Sequence, residues 1–171
     1  VLTVEPGCYI RPGPGVPDHA GPAALALQGV GFTYPGQGRR ALAGVTVEIP
    51  AGKTVALVGT SGAGKTTTAQ LLMRFWDTDE GRITLNGSDL RDYNLDDLRR
   101  RIALVAQDTY LFNDTLRANI LIARPEASEA ELAAAIEHAS LAELVETLPE
   151  GLDSPVGERG GDLSGGQRQR V

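Results

Sequence analysis

The fold follows from one stretch of the chain, Gly59-Thr60-Ser61-Gly62-Ala63-Gly64-Lys65-Thr66, whose spacing is the phosphate-loop pattern G-x-x-x-x-G-K-[ST]. Glycines allow the backbone to turn so that successive N–H groups face one anion, and a following helix adds the positive end of its dipole. Lys65 would bring a mobile positive charge to the outer phosphates, and the hydroxyl of Thr66 suits Mg²⁺. The stretch therefore predicts a site for a nucleoside phosphate.

The residues around this stretch predict the strand, loop and helix that such a site requires. Thr54–Val58 is a mostly apolar run, typical of a strand buried on both faces of a parallel sheet, and Lys65 to about Trp76 has the pattern of a helix. Further strands are predicted at Leu25–Tyr34, Val45–Ile49, Arg82–Leu85 and Ile102–Ala106. The pair Asn86-Gly87 predicts a tight turn after the third of these.

Short helices dominate the rest of the chain. Asn94 is placed to cap a helix over Leu95–Arg101, and the arginines at its end indicate either a solvated helix end or a phosphate-binding patch (Arg99, Arg100 and Arg101). Two capping boxes, Ser128–Glu131 and Ser140–Glu143, predict the starts of two more helices. An apolar stripe follows on the second of them, at Leu141, Leu144, Val145 and Leu148. His138 has no partner histidine nearby and is expected at the surface.

Composition limits the possible functions. The chain has 171 residues, of which 42% are hydrophobic and 22% charged, and this suits about one globular domain. Its net charge of -6 argues against a nucleic-acid binder that depends on bulk positive charge. The single cysteine, Cys8, excludes an internal disulfide and a multi-cysteine metal site. No apolar run reaches the roughly 18 residues of a membrane-spanning helix, and no signal segment is visible.

Proline and glycine are concentrated at the start of the chain, with prolines at Pro6, Pro12, Pro14, Pro17 and Pro22. Their fixed φ angles and missing N–H donors oppose both a helix and a central strand. Residues 1–22 are therefore expected to form a linker, in which Cys8 and His19 are solvated.

A second glycine-bearing segment comes late in the chain, Asp162-Leu163-Ser164-Gly165-Gly166-Gln167-Arg168-Gln169-Arg170. The Ser164 hydroxyl and the free amides of Gly165 and Gly166 at a helix start would make another anion site. This segment resembles the signature sequence of the ATP-binding-cassette (ABC) family, and residues 25–171 resemble its nucleotide-binding domain.

The resemblance implies a fold class and a set of ligands. The expected fold is α/β: a P-loop NTPase core with an antiparallel β subdomain over residues 23–106, and an α-helical subdomain over residues 107–171. The expected cofactors are ATP and Mg²⁺. A domain with one nucleotide has no need of two phosphate sites. In this family two domains pair head to tail, and each signature closes over the nucleotide held by the opposite loop.

The resemblance also implies roles for single residues. Tyr34 would stack on adenine, whose flat faces are poorly hydrated, although a half-buried tyrosine at a strand end is an alternative. Gln107 would approach Mg²⁺ and the attacking water, unless it is a surface amide. The implied nucleotide contacts are Tyr34, Gly59, Thr60, Ser61, Gly62, Ala63, Gly64, Lys65, Thr66, Thr67 and Gln107, and in the partner's site Ser164, Gly165, Gly166 and Gln167; the implied metal ligands are Thr66 and Gln107.

Two further segments are similar to the exporters of this family. Gly157-Glu158-Arg159-Gly160 resembles the X-loop that contacts membrane domains, although a solvated charged loop has the same composition, and Gln107–Asn119 is similar to the exporter subclass. The resemblance implies an ATPase on the cytoplasmic face of the cell membrane. Its partners would be a second nucleotide-binding domain and transmembrane domains, with no nucleic acid. The alternatives are a soluble non-transport ABC ATPase and a degenerate module that binds ATP without hydrolysis.

In this family a Walker B aspartate and a general-base glutamate follow the signature, and the sequence stops at Val171 before them. No catalytic residue is assigned for this reason. We expect residues 1–171 alone to hydrolyse ATP very slowly, because the attacking water needs a carboxylate within hydrogen-bond reach. We also expect C-terminal core strands to be missing, which leaves Thr54–Val58 and Ile102–Ala106 with unpaired edges and residues 1–171 marginally stable.

Overall fold

The computed structural model describes residues 10–16 and 21–171. Cys8 and His19, for which solvated positions are predicted, lie outside the described residues. The chain divides into two units, one made of the described residues up to Leu104 and the other of Val105–Val171. Each unit has its own buried apolar cluster. The division lies close to the position after residue 106 at which the sequence suggests a boundary.

Strands of the first unit form an antiparallel sheet in the order β2-β1-β3-β4, with β1 at Leu25–Phe32, β2 at Leu42–Ile49, β3 at Glu80–Leu85 and β4 at Ser88–Asp89. These elements confirm the strands predicted on both sides of the phosphate loop, with shifted ends. The register of β1 against β2 is irregular between Leu27 and Val30, which are 1% and 0% exposed. This irregularity lets both side chains reach the core although they are three residues apart.

The hairpin between β3 and β4 turns at Asn86-Gly87, as predicted. Their φ angles are 51° and 84°, and positive values at both central residues define the type I′ turn that suits tight hairpins. A 3₁₀ turn at Leu90–Asp92 follows, and then α2 at Leu95–Arg99. The Asn94 side chain caps α2 as predicted, since it accepts hydrogen bonds from the first-turn amides.

The helix after the phosphate loop, α1, runs over Lys65–Leu72 and is shorter than predicted. Arg74 has a φ of 51°, a left-handed conformation that cannot continue a right-handed helix. Leu71 of α1 is 1% exposed and packs in the cluster that the sheet residues form. The sheet thereby fixes the helix that starts at the phosphate loop.

Residues 10–16 form no helix or strand, in keeping with their prolines, yet they are bound to the first unit. The N–H groups of Gly13 and Gly15 donate to backbone carbonyls in the segment 92–93, each at 3.0 Å. The guanidinium of Arg74 donates to the carbonyl of Arg11, within residues 10–16, at 2.8 Å. We call residues 10–16 the strap.

The apolar stretches Thr54–Val58 and Ile102–Ala106 are not strands, and their prediction as strands is wrong for this structure. A strand needs a neighbour with which to exchange backbone hydrogen bonds, and the sheet of the described residues includes neither stretch. Val58 is 90% exposed and Val105 is 70% exposed. Both stretches therefore present apolar side chains to water, as expected for unpaired edges.

The second unit is helical, with α3 at Leu116–Leu121, α4 at Glu129–His138, α5 at Ala142–Thr147, α6 at Gly165–Arg170 and 3₁₀ turns at Gly151–Asp153 and Glu158–Gly160. Its core consists of Leu111, Leu116, Leu132, Ile136, Leu141, Leu144, Val156 and Leu163. No helix within the described ranges has the length and apolarity needed to cross a bilayer.

The two predicted capping boxes have different outcomes. Ser128 caps α4 in a reciprocal pair with Glu131, as predicted. The box at Ser140 is wrong: Ser140 has a φ of 53° and its N–H donates to the Glu137 carbonyl, so it ends α4 instead of starting α5. The apolar stripe is confirmed: Leu144 of α5 and its N-cap Leu141 are buried, and Val145 and Leu148 pack against the same core. His138 is exposed as predicted.

Candidate nucleotide-binding site

The phosphate loop, residues 59–66, is an exposed segment of the first unit that leads into α1. Gly62 and Gly64 have φ angles of 79° and 88°, in the left-handed region that glycine adopts readily. Gly64 is also closely packed, since a Cβ there would lie 2.4 Å from Leu42 Cδ2. Backbone conformation and packing against β2 therefore both require glycine where the loop enters the helix.

Lys65 is the first residue of α1, and its exposed ammonium lies back over the loop. Its Nζ donates to the carbonyl oxygens of Gly59 and Thr60, each at 2.8 Å. An ammonium has three N–H donors, so one remains for an anion. The positive charge lies beside the N–H groups of the first helical turn, which have no partner within a helix.

The two threonines after Lys65 have different surroundings. The Thr66 side chain is exposed at the start of α1, where a hydroxyl oxygen can reach a cation. Thr67 is 7% exposed, and its Oγ1 lies 3.0 Å from the hydroxyl oxygen of Tyr34. The Thr67 side chain therefore makes a structural contact that the sequence does not indicate.

Tyr34 follows β1 and is half-buried. Its ring centroid lies 4.9 Å from that of Phe32 and 5.9 Å from that of Trp76, both in edge-to-face geometry. Its hydroxyl donates to Gln70 Oε1 at 2.7 Å. Since Gln70 lies on α1, the tyrosine is fixed to the helix of the phosphate loop. These contacts match the alternative interpretation of Tyr34 as a half-buried tyrosine at a strand end. The adenine contact stays a prediction.

Gln107, in the second unit, is exposed. The loop after it is held by Asn119, which is 8% exposed. Asn119 Oδ1 accepts from the Phe112 N–H at 2.8 Å, and Asn119 Nδ2 donates to the carbonyls of Phe112 and Thr115 at 3.1 and 2.9 Å. Asn119 ends the segment that is similar to exporters, but this structural role was not predicted. A polar residue among the apolar positions of a helix was the available signal.

Ser164 is the N-cap of α6 and is exposed, as are Gly165 and Gly166. Its Oγ accepts from the Gln167 N–H at 3.2 Å, and Gln167 Oε1 accepts from the Ser164 N–H at 2.7 Å. This reciprocal pair is a capping box with the spacing S-x-x-Q, which the sequence analysis did not use. The predicted anion-binding hydroxyl therefore also orders its own helix.

The turn before α6 is strained. Arg159 has a φ of 55° within the 3₁₀ turn Glu158–Gly160, a conformation that costs a side-chain-bearing residue about 1 kcal/mol. Glu158 and Arg159 are exposed, whereas Gly160 is buried. The surrounding contacts must hold this turn in place.

Two groups of structural hydrogen bonds in the second unit shift the pKa of a side chain. Hydrogen bonds from the Ser128 backbone and hydroxyl lower the pKa of Glu131 at the start of α4. Hydrogen bonds from Arg117 to Glu129 and Asp153 raise the pKa of that guanidinium. Within residues 10–16 and 21–171, no group of three or more His, Cys, Asp or Glu side chains could hold a metal ion.

The predicted site residues are thus distributed over both units. Tyr34 and the phosphate loop belong to the first, whereas Gln107 and the signature segment belong to the second. Residues 42–171, which include both glycine-bearing segments, match the family model described as ABC transporter. The chain belongs to the ABC transporter family. Its two exposed glycine-bearing helix starts are therefore features of one family domain.

This ABC transporter chain is similar to curated proteins that are about four times longer. The ATP-dependent lipid A-core flippase of Thiobacillus denitrificans is 53% identical over 148 residues, which cover 86% of this chain and 26% of that protein. The flippase of the same name from Escherichia coli is 50% identical over 148 residues, covering 86% and 25%. The chain therefore spans about a quarter of the length of these relatives.

A solved structure supports the same fold. A bacterial Atm1-family ABC exporter with ATP bound is 42% identical to this ABC transporter chain and superposes with a TM-score of 0.86, over 94% of this chain and 28% of the exporter chain. The α/β fold expected from the resemblance is therefore confirmed.

Proposed function

We propose that this chain is the nucleotide-binding part of an ATP-driven exporter, in which ATP binding and hydrolysis move a substrate across a membrane. The observation that carries the proposal is the Lys65 ammonium, exposed and held 2.8 Å from two carbonyls of a loop whose backbone conformation and packing favour glycine. Since the chain spans about a quarter of its flippase relatives, the membrane-spanning segments would lie elsewhere in a longer protein, which we call the full-length exporter.

The triphosphate would bind to backbone N–H groups of the loop and to the positive end of α1. Lys65 would exchange its contacts with Gly59 and Thr60 for the β- and γ-phosphate oxygens, which carry more negative charge than a carbonyl. Tyr34, held in place by Gln70, would offer its ring to the adenine.

Mg²⁺ prefers oxygen ligands, and the exposed hydroxyl of Thr66 fits that preference. Gln107 would offer a second oxygen, from its side-chain amide. When bound, the metal ion would neutralise charge that develops on the transferred phosphoryl group. Among the described residues we assign no general base.

The signature segment would act on the nucleotide of a second nucleotide-binding domain. The Ser164 Oγ accepts a hydrogen bond from the Gln167 N–H, which leaves its own proton free to donate to a phosphate oxygen. Gly165 and Gly166 are exposed first-turn residues, so their N–H groups are available in the same direction. The exposed pair Glu158 and Arg159, together with the loop after Gln107, would contact the membrane domains at the cytoplasmic face.

The test compares the two lysines of the chain in the full-length exporter. Lys65→Ala removes the charge at the loop, and Lys53→Ala removes the other, exposed lysine. Loss of charge-assisted hydrogen bonds should weaken binding of a fluorescent ATP analogue by about 10- to 100-fold in Lys65→Ala and leave Lys53→Ala unchanged. Equal affinity in both variants would overturn the proposal.

Hydrolysis separates the proposal from the non-hydrolysing module. In the full-length exporter, Ser164→Ala should retain ATP affinity but lower phosphate release, because its phosphate donor acts on the partner's nucleotide. Tight ATP binding without any phosphate release from the unmodified protein would instead favour the non-hydrolysing module.

A further inference from the structure

Gly160, at the end of the strained turn, is the meeting point of three segments of the second unit. It is buried and has a φ of 67°. A Cβ at this position would lie 2.9 Å from Leu111 Cδ1 and 3.0 Å from Arg168 Cδ. Leu111 belongs to the loop after Gln107, and Arg168 belongs to α6. Both segments therefore pack directly against the backbone of the turn.

Arg168 fixes this junction by hydrogen bonds. Its Nη1 donates to the carbonyl of Gly160 at 3.2 Å and to the carbonyl of Leu163 at 2.6 Å. Leu163 is 4% exposed and immediately precedes Ser164, the N-cap of α6. One charged group thus satisfies two backbone oxygens, one in the turn and one beside the proposed phosphate donor.

The next residue of α6 points to the other loop. Gln169 Nε2 donates to the carbonyl of Ala106 at 3.4 Å, and Ala106 immediately precedes Gln107. Two consecutive side chains of a single helix therefore contact the turn 158–160 and the residue before Gln107. The proposed function places this turn, and the loop that begins after Gln107, against the membrane domains.

We propose that Arg168 is a positioning residue of this exporter, which with Gln169 ties the turn 158–160 and the Gln107 loop to the signature helix. The proposal rests on the proposed function of Ser164 and Gln107. Movement of the turn is passed to Ser164 through the guanidinium, because the carbonyl of Leu163 and the carbonyl of Gly160 share one donor group. Movement at Ala106 reaches α6 through Gln169. The residue contacts no nucleotide itself.

Amide hydrogen exchange of the full-length exporter tests the junction. Arg168→Met removes the guanidinium and keeps an apolar stem, and the matched control is Arg170→Met on the same helix, whose guanidinium donates only to the Ser140 carbonyl among the described contacts. In Arg168→Met, peptides covering 157–163 should exchange about 10-fold faster, because the carbonyls of Gly160 and Leu163 lose their shared donor. Peptides covering 104–112 should change less, because Leu111 packs against the turn while Gln169 still donates to the Ala106 carbonyl. Peptides of α4 should not change.

Two further variants keep the test decisive. Arg168→Lys retains a donor on a flexible stem and should restore part of the protection, and Gln169→Ala should release 104–112 alone. Unchanged exchange in 157–163, or faster exchange throughout the second unit including α4, would overturn the proposal. The second result would mean that Arg168 only stabilises the fold.

Steady-state ATPase kinetics distinguish a positioning role of Arg168 from a purely structural one. Arg168→Met should lower kcat by about 10-fold and change the KM for ATP by less than about two-fold, because Lys65 is untouched. A raised KM with unchanged kcat would contradict a positioning role. Suppose that Lys65→Ala left ATP affinity unchanged, while the Arg168 and Gln169 variants showed the expected amide exchange. The proposed function would then be wrong, but the contacts of Arg168 and Gln169 with the two loops would be supported.

Discussion

Single charged side chains of the first unit satisfy several backbone groups at once. Arg74 is 3% exposed, and its guanidinium donates to Asp77 and to three carbonyls, those of Arg11, Leu90 and Tyr93. Leaving such buried backbone carbonyls without a donor costs about 1–3 kcal/mol. Such residues set the conformation of the segments beside the phosphate loop without contacting a ligand.

The Asp89 carboxyl makes the stability of the fold depend on pH. Partial burial raises the pKa of its carboxyl, but hydrogen bonds from the Arg91 side chain and N–H outweigh that effect and hold the pKa below its usual value. A lowered folded-state pKa means that the carboxylate stabilises the fold above its unfolded pKa of about 3.9, and that this stabilisation is lost as the pH falls through the folded value. The ionised form is therefore the stabilising one.

We expect Asp89→Asn to lower the free energy of unfolding by about 1 kcal/mol near pH 7, since asparagine can still cap the 3₁₀ turn Leu90–Asp92 but lacks the charge that pairs with Arg91. The difference from the unmodified chain should shrink as the pH falls below about 4, where the carboxyl of the unfolded chain takes up a proton, and vanish once the native carboxyl is also protonated at lower pH. The chain has one tryptophan, Trp76, so urea unfolding followed by its fluorescence reports on the first unit. Glu48→Gln, an exposed change on β2, is the control, and a pH-independent difference for Asp89→Asn would contradict the expectation.

At the scale of elements, the strap packs most closely against the first unit at Gly13. A Cβ on Gly13 would lie 2.3 Å from the carbonyl oxygen of Arg91 and 2.3 Å from the carbonyl carbon of Asp92. These are backbone atoms of a capped turn, which cannot move aside as the tip of a side chain can. We therefore expect Gly13→Ala to detach the strap while the sheet stays intact.

The measurement is amide exchange in peptides covering 10–16, which should become about 10-fold faster as the N–H groups of Gly13 and Gly15 lose their acceptors. The free energy of unfolding reported by Trp76 should fall by about 1–3 kcal/mol for the hydrogen bonds lost. Gly38→Ala is the matched control, because a Cβ there meets nothing within 4 Å and its φ is not positive. Equal behaviour of both variants would show that the strap is not bound in solution.

Elements with local signals were predictable from sequence. Asn86-Gly87 and the caps at Asn94 and Ser128 depend on neighbours within a few residues, and all three are present. Thr54–Val58 carries a strand pattern but has no described partner, and strand formation is a non-local property. Ser140 has the right spacing for a cap, yet its left-handed backbone ends the preceding helix instead.

The same distinction applies to the candidate site. The glycines of the phosphate loop could be predicted from sequence because the backbone has a positive φ at Gly62 and Gly64, which is a local requirement. The contacts of Arg168 with Gly160 and of Asn119 with Phe112 are set by how segments of the second unit pack, and sequence spacing does not determine that packing. Positioning residues were therefore missed where motif residues were found.

At the scale of the whole molecule, residues 10–16 and 21–171 form two buried apolar clusters and, outside them, expose apolar side chains to water. Leu57 and Val58 are 42% and 90% exposed, and Leu104 and Val105 are 47% and 70% exposed. These pairs lie in the two stretches that carry strand patterns without described partners. Unpaired apolar segments of this type favour association between copies of a chain.

We expect the 171-residue polypeptide to self-associate in a concentration-dependent way, because association would cover these side chains and supply backbone partners. Sedimentation velocity at about 5 and 50 µM should show species well above the 18.0 kDa of one chain. Val58→Asp combined with Val105→Asp should shift the distribution towards one chain, since a buried carboxylate is costly. Ala133→Asp adds the same charge at an exposed position of α4 and should not. A single 18.0 kDa species of the unmodified polypeptide at both concentrations would show that the exposed stretches do not drive association.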